Sequence, residues 1–116
     1  MKEDIKNKLI ERLSSGKYQP STKGMIKEGT KRTPYGIISE IYSEEQKKKN
    51  ISIGNDNFIE FFECIKIEYR NDIIQWAGIT EYDIYILDIC DIMCIMGDTF
   101  DTISKYILKN ILYHNE

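Results

Sequence analysis

A chain of 116 residues, 41% hydrophobic and 30% charged, is long enough for one hydrophobic core, too short for two and too apolar to stay disordered. Its net charge of −3 hides an asymmetry, because residues 1–50 hold twelve Lys or Arg against seven Asp or Glu while residues 51–116 hold four against twelve. An acidic overall balance argues against duplex nucleic acid as a partner, since phosphate contacts need net local positive charge.

The expectation is a single domain over residues 1–116. Met1 to Lys6 mixes charges and has neither an apolar h-region nor a small-residue cleavage site, so the segment predicts neither secretion nor organelle import. Ile5, Leu9, Ile10 and Leu13 recur at helical spacing ahead of Gly16, which predicts a helix over Asp4–Ser15. Gly16 to Ser21 reads as a turn, and a short strand is expected around Met25 and Ile26, weakened by Gly24 and Gly29. Thr33-Pro34 is a helix start, with a hydroxyl cap followed by the residue that loses no bond at the first helical position. The apolar stripe Ile37, Ile38, Ile41 and Tyr42 carries that helix from Pro34 to Lys47.

Ile51 and Ile53 alternate around Ser52, and Cys64 to Tyr69 alternates with a period of two, which predicts two strands joined by a turn near Asn55. Phe58 to Phe62 fits a strand or a helical turn equally. Asn71 as a cap and Gly78 as a stop bracket a short helix, Asp72–Ala77, whose Trp76 should dock it to the body. Thr80 and Asp83 form a capping box opening a helix that runs through Met96 and stops at Gly97. Thr99 caps the last helix, in which Phe100, Ile103, Ile107 and Ile111 share one side. The fold class is α+β and predominantly helical, with about five helices and a small two- or three-stranded antiparallel sheet that must lie on them for support.

The helix from Glu81 to Met96 is apolar almost all round, with Asp83, Asp88 and Asp91 as a thin polar strip. Such a helix is either central to the fold or partly buried against a second chain, and a homodimer is the commonest closed form. It does not predict a membrane span, because the acidic residues interrupt the apolar run.

The order of motifs adds a resemblance. Gly16-Lys17-Tyr18-Gln19, Gly24-Met25-Ile26-Lys27, Tyr35 to Ile38, Asp72 to Ile79, Gly97-Asp98-Thr99-Phe100 and Ile103 to Ile107 follow one another as in a widespread group of small phage and prophage proteins, which this chain resembles. That group usually carries paired cysteines at the Tyr35 region and Leu-Asn-Asp near Cys94 and Ile95, and this chain has neither. The resemblance implies a viral accessory protein working in a bacterial host cytosol. It brings no catalytic residue and no cofactor.

The remaining chemistry is sparse. Cys90 and Cys94 share a helix face, but a tetrahedral metal site needs four ligands and the single histidine, His114, is remote, so these thiols and Cys64 read as reduced core residues and no metal is expected. A Cys or Ser nucleophile would lack an adjacent base, and the pair Asp88 and Asp91 reads more simply as a solvated strip than as an acid–base couple. A non-enzymatic role is therefore expected. For anions, Lys23, Lys27, Lys31 and Arg32 flank Gly24 and Gly29 just before Thr33, where helical N–H groups favour phosphate, which offers a place for a nucleotide-type ligand. For a protein partner, Asp88, Asp91, Asp98 and Asp101 would imitate nucleic acid toward a basic groove on a host protein. The leading expectation is a binding protein that inhibits a host bacterial defence component; the alternatives are a binder that sequesters a nucleotide-type signal and a small hydrolase of such nucleotides.

Overall fold

Threonine side chains cap three of the five described helices at their starts. The computed structural model describes residues 1–22, 27–49 and 65–111, with Lys27 and Glu28 described by backbone alone. Helix α1 spans Glu3–Ser14 with Glu3 and Asp4 in its first turn and Arg12 in its last, charges that suit the helix dipole at both ends. Three two-residue strands follow: β1 (Gln19–Pro20), β2 (Lys27–Glu28) and β3 (Lys31–Arg32). Helix α2 (Pro34–Gln46) opens as predicted, with Pro34 in the first turn and the Thr33 hydroxyl accepting the Gly36 N–H at 3.2 Å. Helix α3 (Ile67–Ala77) stops at Gly78, which is left-handed with φ +64° and packs where a Cβ would come within 3.0 Å of Lys2 Cγ. Helix α4 (Glu81–Ile95) starts with the full Thr80–Asp83 capping box, and α5 (Phe100–Asn110) starts with Thr99 accepting the Thr102 N–H.

Four of these helices form a closed ring. α2 lies between α1 and α4, and α5 closes the circuit by packing on both α1 and α4. Their inward residues make one buried cluster, including Ile5 and Leu9 of α1, Tyr35, Ile38 and Ile41 of α2, Leu87 and Cys90 of α4, and Ile103 and Ile107 of α5. α3 attaches outside the ring to α2, where Trp76 meets Tyr42 edge-on with ring centroids 5.3 Å apart, the docking role expected of it. One end of the ring is closed by charge. The Met1 ammonium lies 2.7 Å from Asp83 Oδ2, both sealed from water, and the same carboxylate accepts the Thr80 N–H at 3.0 Å. Lys6, also buried, donates through Nζ to the Ile111 carbonyl at the end of α5; burial lowers its pKa while Asp83 pulls it upward.

The sheet departs from expectation. It has the order β1-β3-β2, with β2 antiparallel to β3 but β1 parallel to it, so the expected all-antiparallel pairing holds for one pair only. In chain order it falls between α1 and α2. The predicted strand at Ile51–Ile53, the turn near Asn55 and the segment 58–62 fall outside the described residues. Over Cys64–Tyr69, the predicted strand gives way to helix from Ile67, so α3 begins five residues ahead of Asp72 and Asn71 is helical interior instead of a cap. The period-two reading placed Ile65, Ile67 and Tyr69 on one face. The fold instead uses the four-residue spacing Ile65, Tyr69, Ile73 and Ala77 for its contact with the core and leaves Ile67 in water.

Candidate interaction face

The basic corner expected to hold an anion is consumed by the fold. Arg32 is buried: its Nε donates to Glu40 Oε2 at 3.0 Å, one terminal nitrogen donates to the carbonyls of Gly29 and Lys31, and its guanidinium lies over the Tyr18 ring, 5.0 Å from the centroid. Tyr18 Oη donates to the other Glu40 oxygen at 2.6 Å. Burial pushes the Glu40 carboxyl upward, and the bonds from Tyr18 and Arg32 outweigh it and hold the pKa below the usual range. Thr33 is buried and spent on its cap. Lys31 is half-buried, Lys23 lies outside the described residues, and Lys27 is described by backbone only. Arg32 and Thr33, both expected at the anion site, thus have their hydrogen-bond partners inside the fold. The Thr33 cap was legible in the sequence, but the engagement of Arg32 was not, because its partner, Glu40, arrives from the second turn of α2.

The four aspartates of the expected acidic face separate. Asp91 is buried, with 1% of its surface exposed, and cannot meet a partner protein from there. Its carboxyl faces the Tyr35 N–H at the start of α2 without closing a hydrogen bond on it; burial, and next the nearby Asp88, raise its pKa well above the usual carboxylate range, and the Tyr35 N–H only partly opposes this. Asp88, half-buried, accepts the Tyr35 hydroxyl at 2.7 Å, and that same hydroxyl lies 2.9 Å from the Ile84 carbonyl. Asp101 is exposed and paired with Lys105 one turn on, and Asp98 lines a groove on the turn between α4 and α5. The strip Asp83, Asp88 and Asp91 is therefore the inward-leaning side of α4, the reverse of the solvated strip expected.

Beyond its first residue, Glu81, what faces water on α4 is apolar. Tyr82, Tyr85, Ile92 and Met96 are 55%, 61%, 50% and 78% exposed, and the half-buried Ile89 falls between them. Steps of three and four residues place these five side chains in one row along the helix, the spacing of a seam that packs against another helix. No Lys or Arg occurs anywhere from Glu81 to Met96. α5 runs back along this row, bringing Tyr106 beside Tyr82 and Tyr85, and burial first, then Cys90 and these two tyrosines, raise the Tyr106 hydroxyl pKa. The three-and-four spacing was present in the sequence. It was masked because the remaining faces of the helix are equally apolar.

Leu13, Tyr18, Pro20, Asp98, Thr99 and Phe100 border an open groove of about 370 Å³, but its described charge is the acidic Asp98, the wrong sign for a nucleotide phosphate. Cys90 and Cys94 are buried free thiols; burial, then Asp91, raise both pKa values, that of Cys94 to about 12, which makes them inert packing groups. Among the described residues no three His, Cys, Asp or Glu side chains gather as metal ligands, and no helix is long and apolar enough to cross a membrane. Cys64 and His114 lie outside the described residues. Compared with family models, curated proteins and solved structures, the chain has no significant match in any of the three.

Proposed function

We propose that this protein acts by binding another protein chain through the outer row of α4, without catalysing a reaction. The row Tyr82, Tyr85, Ile89, Ile92 and Met96 carries this reading, because large apolar side chains at seam spacing are stabilised only when a partner removes them from water. The likeness to small phage and prophage proteins supports a setting in the cytosol of a bacterial host, with a host factor such as a defence component as the eventual target. The nucleotide-binding reading is less well supported, since Arg32 and Thr33 are engaged inside the fold.

The test compares the wild-type chain with a Tyr85→Glu/Met96→Glu variant, both immobilised and exposed to bacterial lysate, with circular dichroism confirming that the variant is folded. Retention of protein by the wild type and its loss in the variant are expected. Equal retention by both chains removes the α4 row as the binding face.

A further inference from the structure

The occupant of the α4 row can be argued from its own side chains. Tyr82 and Met96 stand seven residues either side of Ile89, while Tyr85 and Ile92 stand four before and three after it. The row is thus bulky and aromatic at its N-terminal end and slender at its C-terminal end, with its middle at Ile89. Over about 21 Å of helix, a parallel copy would set ring against ring at one end and methionine against methionine at the other, forcing the axes apart where the rings meet. An antiparallel copy places every large side chain opposite a slender one.

We infer that the α4 row is covered by a second copy of this chain, antiparallel about a two-fold axis at Ile89, with Tyr82 facing the partner's Met96 and Tyr85 set within one residue's rise of the partner's Ile92. The inference rests on the protein-binding reading above and names the partner. Sulfur against a tyrosine ring is itself a favourable contact. Charge does not oppose the pairing strongly: α4 contributes no cation to desolvate, Asp91 is sealed within its own protomer, and Asp88, which borders the middle of the row, is turned toward α2 by its bond from Tyr35. Size also fits. Taking about 200 Å² as the surface of a large side chain, the four most exposed members leave about 500 Å² in water per protomer. Two copies would remove about 1,000 Å² even before Ile89 and Tyr106 are counted, the size at which specific interfaces begin.

Sedimentation equilibrium of the full chain from micromolar to several hundred micromolar should show a dimer. Met96→Glu and Ile89→Glu should each weaken it at least about tenfold, with unchanged circular dichroism; because Ile89 is half-buried, the mostly exposed Met96 decides the matter if the Ile89 variant misfolds. Direction is read by mixing Tyr82→Cys with Met96→Cys under mild oxidation, where a mixed disulfide dimer is expected that neither variant forms alone. A dimer indifferent to Met96→Glu, or Tyr82→Cys crosslinking to itself, overturns the proposed seam. A monomer throughout also overturns it; if the wild type then still retains lysate protein and the glutamate variant does not, the binding face stands with a foreign partner, and if neither retains any, both readings fall.

Discussion

The corner where β3 meets α2 and the outer row of α4 were both conspicuous by composition, and the fold treats them in opposite ways. At the corner, Arg32, Tyr18 and Glu40 satisfy one another and Thr33 caps α2 through the Gly36 N–H, so residues that look like a ligand site in sequence hold the chain together. On α4 the aspartates turn inward while Tyr82, Tyr85, Ile92 and Met96 stay in water. The difference teaches that a charge marks a site only when the fold has not already supplied its counter-charge. An apolar row left in solvent has no such internal remedy, because only further burial can relieve it.

Substitutions separate the two kinds of residue. The largest effect is expected at the inner start of α4: Asp83→Asn leaves the Met1 ammonium buried without its counter-ion and should cost about 3 kcal/mol in denaturant unfolding. At the corner, Arg32→Ala strands the half-buried Glu40 carboxylate, and a loss of about 2 kcal/mol is expected, reduced from a fully buried pair because Glu40 keeps some water and the Tyr18 bond. A loss below about 0.5 kcal/mol there would show the corner to be a surface feature after all, and would reopen it as an anion site.

Asp91 moves stability the other way. The folded protein keeps a proton on this buried carboxyl that the unfolded chain has already released above about pH 4, so the folded state binds more protons and stability falls as pH rises from there toward the raised folded pKa. Asp91→Asn should therefore stabilise the protein at pH 7 by about 1–2 kcal/mol and have little effect near pH 4, which thermal melts at the two pH values would show. A variant equally stable at both, relative to wild type, would mean that Asp91 is not held neutral. The smallest effect is expected on the outer row, where Tyr85→Ser should change the stability of dilute protein by less than about 0.5 kcal/mol. A larger loss at low concentration would mean that Tyr85 belongs to the core of its own protomer.

Local chemistry and final arrangement divide along clear physical lines. Thr33-Pro34, the Thr80–Asp83 box, Thr99 and the stops at Gly78 and Gly97 were legible because capping is settled within a few residues of chain. The start of α3 was not, since Ile65, Ile67 and Tyr69 suit a strand as well as a helix, and only the position of the core decides that Ile67 is the side chain left outside. Nor was the polarity of α4. With apolar residues on every face, its sequence fixes that a helix forms but not which way it is turned; α2 and α5 settle that by taking Ile86, Leu87, Cys90 and Cys94 inward, and Asp91 goes with them. Pairings such as Met1 with Asp83 and Arg32 with Glu40 join residues that only the closed ring brings together, which is why charge counts along the chain located neither.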